Sequence, residues 1–290
     1  MLFCGVRGST PAPGAAFVRY GGNTSCVALT APGDSAPSLV VDAGTGLQRL
    51  ARHLHPEPFR GTILLGHLHW DHTHGLPFFP AGDDPDADVT LLMPAQGDPI
   101  SVLARCISPP HFPISPTELR GRWRFAAIEA GAHAGDHVGE HAAAQPIEKF
   151  DVLARDIPHK GGRTFGYRIS DGAGSIAYLS DHWPVHLGEG PDGFGPYHEA
   201  AVQLARGVDV LIHDAQYTAA EFPSRRHFGH SAIEYAVGLA DMAGARSLVL
   251  FHHDPSRTDD ELDAIVEALA GAPVPVSAAA EGAELVVGAP

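Results

Sequence analysis

Cysteine is scarce in this sequence of 290 residues. Cys4, Cys26 and Cys106 are the only three, and none belongs to a CxxC pair. An odd number of separated thiols supports neither a disulfide framework nor a thiolate zinc site, and a reducing cytoplasm is the expected location. Basic residues are also few, with 19 Lys and Arg against 34 Asp and Glu and a formal net charge of −15. That balance argues against a dedicated binder of large polyanionic nucleic acid or of an anionic membrane. No run of 18 apolar residues occurs, and the opening MLFCGVRGSTP has no basic segment followed by an apolar one. Neither a membrane span nor a signal peptide is expected.

Histidine, by contrast, is abundant. Its 19 copies equal the whole Lys plus Arg total, an enrichment that metal coordination or proton transfer can use and solubility does not need. With 44% hydrophobic residues the chain can bury a sizeable core. Glycine and proline, 33 and 25 residues, stay below low-complexity levels and suit many tight turns.

Short runs rich in Val, Ile and Leu recur and end in polar clusters: SCVALT (25–30), SLVVDAG (38–44), TILLGH (62–67), VTLLMP (89–94), SIAYLSD (175–181), VDVLIHD (208–214) and SLVLFHH (247–253). Their length and boundaries predict strands buried on at least one face. Ser231 with Glu234 and Thr258 with Glu261 have capping-box spacing, which predicts helices over about 231–243 and 258–270. Residues from about 95 to 150, rich in Pro and then in Gly, Ala and His, read as a lid or insertion within one domain spanning 1–290.

Several of these strands run into histidine or aspartate. In TILLGHLHWDHTHG, His67 and His69 are two apart at an extended strand end and so point the same way. Asp71 and His72 follow after a turn and can face a neighbouring cation. Four nitrogen or carboxylate donors within six residues, with no sulfur among them, suit Zn²⁺, Mn²⁺ or Fe in a catalytic site.

This HxHxDH after a strand resembles the metallo-β-lactamase-fold hydrolases. The likeness continues in order through His159 in IPHKGGRTFGYRI, Asp181 in IAYLSDH, Asp214 in DVLIHDAQY, His230 in FGHSAIEYA and His252 in SLVLFHHDP. Within that superfamily the series is most similar to ribonuclease Z and the small cyclic-phosphate phosphodiesterases. The resemblance implies an α/β fold, an αββα four-layer sandwich of two mixed β-sheets flanked by helices. It implies two divalent metal ions, Zn²⁺ first with Mn²⁺ or Fe as alternatives. His67, His69 and His159 would hold one, and Asp71, His72 and His252 the other, with Asp181 bridging. The HH pair leaves His253 as a competitor, and His252 is preferred because it directly ends the LVLF run. Asp71 also counts as catalytic, and His230, oriented by Asp214, would serve as acid or phosphate contact.

Two such ions with five neutral imidazoles and two carboxylates leave about +2, or about +1 with a bridging hydroxide, which attracts a phosphodiester monoanion. The leading expectation is therefore a binuclear metal-dependent phosphodiesterase acting on a small or cyclic phosphodiester. A carboxyl-ester, lactone or thioester hydrolase and an iron-dependent sulfur dioxygenase of the same fold are the alternatives. Ribonuclease Z activity itself is disfavoured, because that family grips tRNA with a long basic arm that has no counterpart here. A small anionic substrate is expected as partner, and the resemblance leaves room for a homodimer.

Other residues carry lesser expectations. His74 and His182 are candidates for supporting roles, His213 for a satisfied core histidine, and His133, His137 and His141 for a solvated loop. Arg120, Arg122 and Arg124 would form a solvated strand edge or an anion grip. Arg225 and Arg226 lie close to His230 in sequence, where they could meet a phosphate. Arg7, Asn23 and Thr24 are candidates for pocket lining.

Overall fold

A computed structural model describes residues 1–131 and 144–288. The first part forms β1 (Leu2–Gly5), β2 (Cys26–Leu29), β3 (Leu39–Val41), α1 (Leu47–Leu54), β4 (Arg60–Leu64), α2 (Trp70–Thr73), β5 (Asp88–Pro94), α3 (Pro99–Leu103) and β6 (Arg122–Ile128). The second forms β7 (Gln145–Ile147), β8 (Phe150–Asp156), β9 (Phe165–Ser170), β10 (Ser175–Leu179), α4 (Glu199–Ala205), β11 (Val210–Asp214), α5 (Phe222–Arg225), α6 (Ile233–Ala243), β12 (Leu248–Phe251), α7 (Asp259–Ala268) and β13 (Val276–Ala278).

The strands make two mixed sheets. One has six strands in the order β1-β2-β3-β4-β5-β6, antiparallel through β3 and parallel from β3 onward. The other has seven, β13-β12-β11-β10-β9-β8-β7, parallel from β13 to β10 and antiparallel from there. All seven runs anticipated from their apolar residues are strands.

Three apolar layers show how the sheets stack. Phe3, Val27, Val41 and Leu64 of one sheet meet Tyr167, Tyr178, Ile212 and Phe251 of the other. On the outer face of the first sheet, Val40, Ile63 and Leu91 pack against Leu47, Leu50 and Leu54 of α1. On the outer face of the second, Ala177, Leu211 and Leu250 pack against Leu204 of α4 and Ile233, Ala236 and Leu239 of α6. Period-2 strands with both faces apolar and amphipathic helices with one apolar stripe can be satisfied together in this way. The architecture is the expected α/β sandwich, αββα in section.

One detail differs from the sequence reading. The Thr258–Glu261 capping box forms and opens α7, but Ser231 does not cap α6. That helix begins at Ile233 with Ala232 as its N-cap, because the Ser231 hydroxyl donates instead to the His182 carbonyl at 2.7 Å. The stretch from about 95 to 150 supplies an edge strand to each sheet, β6 and β7. His133, His137 and His141 lie outside the described residues. No helix among the described residues is long and apolar enough to cross a membrane.

Candidate metal centre

The chemistry-bearing residues gather where strands of both sheets end. β4 stops at Leu64, and the chain carries His67 and His69 to the start of α2, whose single turn presents Asp71 and His72. From the other sheet come His159 beyond β8, Asp181 just past β10 and His252 just past β12.

These residues fall into two donor groups, in each of which the ligand atoms lie within 4.8 Å of one another: His67, His69, His159 and Asp181, and Asp71, His72, Asp181 and His252. Asp181 belongs to both and divides its oxygens between them. Its Oδ1 lies 3.5 Å from His159 Nε2 and 3.8 Å from His67 Nε2. Its Oδ2 lies 2.7 Å from His72 Nε2 and 3.1 Å from His252 Nε2. Asp71 Oδ2 completes the second group at 3.3 Å from His72 Nε2 and 3.1 Å from His252 Nε2. In the first group, His69 Nδ1 and His159 Nε2 are 3.3 Å apart.

The donor set fits divalent metal ions. Both ring nitrogens of His67 are buried without a hydrogen-bond partner among the described residues, a costly condition that cation binding would relieve. All the donors are imidazole nitrogen or carboxylate oxygen, a set shared by Zn²⁺, Mn²⁺ and Fe. Burial and the neighbouring His72 push His67 well below its ordinary pKa, and burial brings His159 down to about 4. Both rings are therefore neutral and can offer lone pairs. Burial would raise Asp181, but His252, His72 and His67 outweigh it and hold the carboxyl well below the usual range. Burial acts against the proton on His252, yet Asp181 and Asp71 raise it to about 9. A cation entering the second group would displace such a proton.

Outer contacts fix the ligand rings. His159 Nδ1–H donates to the Gly229 carbonyl at 2.7 Å. His72 Nδ1–H donates to Asp42 Oδ2 at 2.7 Å, and Asp42 also accepts from Tyr178 Oη at 2.6 Å and from the Gly66 amide at 2.7 Å. Asp42, fully buried, was not anticipated as a site residue. It directly follows the apolar run of SLVVDAG, a position that alone does not show what it bonds. Ser9 was also missed; its amide donates to Asp71 Oδ2 at 2.7 Å, and its hydroxyl accepts from Gln216 Nε2 at 3.2 Å.

His230 stands beside both groups, with ring centroids 5.4 Å from His159 and 4.9 Å from His252. Its Nδ1 lies 3.0 Å from Asp214 Oδ2. Asp214, His230 and His252 also lie close enough to one another to hold an ion. The Asp214 bond nevertheless occupies one His230 nitrogen and leaves Nε2 for other chemistry. His253 turns away from the site, its Nε2 on the Ala279 carbonyl at 2.9 Å.

The remaining candidates do not converge here. Arg7 is fully buried, donating to the Gly21 and Arg257 carbonyls at 2.7 and 2.6 Å. Asn23 bonds Glu281, and Thr24 bonds Thr45, so these three tie loops together rather than line the centre. Arg225 pairs with Asp254 and Arg226 with Glu189. Arg120 pairs with Asp83, and Arg122 and Arg124 share Asp88, the arrangement of a solvated edge whose cations are mostly paired. His213 is a satisfied core residue, its Nδ1–H on the Asp214 carbonyl and its Nε2 facing His182 Nδ1 at 2.9 Å.

Residues 38–253 match the model of the beta-lactamase superfamily domain. The chain belongs to that superfamily. It is similar to Ribonuclease Z from Geobacillus kaustophilus, with 25% identity over 299 aligned positions that cover 87% of each chain. Among solved structures, zinc-bound PqqB from Methylobacterium extorquens aligns over 99% of both chains at 17% identity and a TM-score of 0.68. A diphosphatase of the PhnP family aligns over 99% of this chain and 97% of its own, at 17% identity and a TM-score of 0.62. Both structural likenesses concern the superfamily's fold.

Proposed function

We propose that this chain is a metal-dependent phosphoric diester hydrolase with a binuclear centre, acting on a small or cyclic phosphodiester. One observation carries the binuclear reading: Asp181 offers Oδ1 to one donor group and Oδ2 to the other, as a bridging carboxylate does. His67, His69 and His159 would hold one ion, and Asp71, His72 and His252 the second. Such ions would supply an activated water and a positive clamp for the phosphoryl oxygens. The likeness to Ribonuclease Z supports diester chemistry.

The protein's own residues account for the rest. Asp214 holds the proton on His230 Nδ1 and orients the ring, so Nε2 can donate to a departing alkoxide or contact a phosphate oxygen. The small substrate is supported by charge. The formal net charge is −15, and the two compact arginine clusters are spent on carboxylates, which leaves neither as a track for a polynucleotide backbone.

Loading the protein with Zn²⁺ or Mn²⁺, counting bound metal by elemental analysis and assaying bis(p-nitrophenyl) phosphate tests the reading. Two metals per chain with metal-dependent hydrolysis are expected. Two bound metals without turnover would overturn it. In the same assay His230→Ala should lose more activity on diesters with alkyl leaving groups than on those with p-nitrophenolate, and equal losses would remove His230 as the acid.

A further inference from the structure

Six of the seven candidate ligands have buried side chains, His159 among them at 2% exposure, while His69 is half-buried. The centre is therefore most open to solvent at His69. Exposed aromatic residues adjoin the segments that carry these ligands. Trp70 is 65% exposed, Phe228 56% and Phe78 53%, and no other Phe, Trp or Tyr among the described residues is exposed. Trp70 lies between His69 and Asp71 in the chain. Phe228 precedes Gly229, whose carbonyl holds His159. Phe78 follows α2 and lines a cavity of about 340 Å³ with Thr45, Thr73, His74, Pro77 and Phe112.

The rings are also braced. Trp70 stacks on His74 with centroids 5.7 Å apart and planes 11° from parallel, so one indole face is covered. Phe78 is held edge-on by Phe112 at 5.6 Å and 89°. Single exposed apolar residues are ordinary, but Trp70 next to His69 and Phe228 next to the Gly229 carbonyl that holds His159 put two exposed rings beside ligands whose nitrogens are 3.3 Å apart, and apolar groups exposed near a site mark recognition surfaces.

We infer that Trp70, with Phe78 and Phe228, forms an aromatic rim that selects phosphodiesters bearing a planar aromatic or heteroaromatic group. This rests on the phosphodiesterase reading and adds the substituent the site recognises. A flat ring gains stacking on a pre-set indole face, whereas a flexible alkyl chain of similar size gains less and loses more rotamer freedom.

The test uses metal-loaded protein, with Trp70→Ala and Trp70→Phe compared to wild type. Stacking on one ring predicts that Trp70→Ala raises KM for bis(p-nitrophenyl) phosphate at least about fivefold, with a smaller fall in kcat, while Trp70→Phe restores most of the loss. Independently, adenosine should quench tryptophan fluorescence in wild type and not in Trp70→Phe, and ribose should quench neither. An unchanged KM in Trp70→Ala together with no adenosine quenching overturns the rim. So does an unchanged KM in Trp70→Ala accompanied by loss of a wild-type dimer in sedimentation, which would assign the rings to contact with a second copy. Trp70-dependent quenching by adenosine without hydrolysis of any diester would leave the rim standing and remove the phosphodiesterase reading.

Discussion

Asp42 accepts three hydrogen bonds, from His72, Tyr178 and the Gly66 amide, and through the first it decides which nitrogen of His72 faces the centre. A carboxylate that keeps a proton on Nδ1 makes Nε2 the nitrogen that faces Asp71 and Asp181 and is open to a cation there. Asp42→Asn should lower affinity for the second metal by about 10–100-fold, measured by competition with a chromogenic chelator. Equal affinity in variant and wild type would mean that His72 does not depend on this bond. His67, His69, Asp71 and His72 were legible in the sequence because they crowd one strand end. Asp42 was not, since its role depends on β3 lying parallel beside β4 with Val41 opposite Leu64. That pairing brings residue 42 level with the His67 segment although they are distant in sequence. Ser9 was hidden in the same way, because an amide that holds Asp71 leaves no mark on side-chain chemistry.

Strand ends do most of the positioning, through a shared device. Asp42 after β3, Asp181 after β10 and His252 after β12 each have positive φ, at 64°, 58° and 57°. Left-handed backbone is unfavourable for residues with a Cβ, and its recurrence at three site residues is strain of the kind that functional sites retain. Apolar runs predicted the strands, but no composition rule announces a left-handed aspartate or histidine after them. The ends of β10 and β11 are joined further by a chain of imidazoles. The Asp214 carbonyl can only accept, so His213 carries its proton on Nδ1. Its Nε2 then accepts from His182 Nδ1–H, and His182 Nε2 accepts from His198 Nε2–H at 2.7 Å. The chain requires three neutral rings, and burial, reinforced by His213, lowers His198 to about 4. The unfolded chain would take up a proton near 6.5 that folded His198 refuses until about 4. This contribution is thus present above about 6.5 and lost as the pH falls towards 4. Urea unfolding at pH 7 and pH 5 should show wild type losing more stability than His198→Gln across that interval. Equal losses would mean that His198 titrates normally.

At the scale of the molecule, the centre spans the two sheets. His67, His69, Asp71 and His72 come from the six-stranded side, and His159, Asp181 and His252 from the seven-stranded side. Without a cation, buried Asp71 and Asp181 face one another across His252. Chelation should therefore lower the thermal midpoint, and added Zn²⁺ or Mn²⁺ should restore it. A free metal concentration a thousandfold above Kd corresponds to about 4 kcal/mol. A midpoint unmoved after proven metal removal would count against metal held between the sheets. The sandwich was legible through the family resemblance of the His and Asp motifs, and the apolar runs located its strands. The aromatic mouth was not, because exposure is decided by the packed whole. The −15 charge described the surface as a whole without revealing how the arginines are paired.

Each sheet is built from one continuous stretch of chain, with every strand next to its neighbour in sequence. Cutting the backbone between residues 131 and 144 would yield two fragments, each with a whole sheet and neither with a whole donor set. A bound ion would then act as a coincidence detector, reporting that both halves are present and correctly docked.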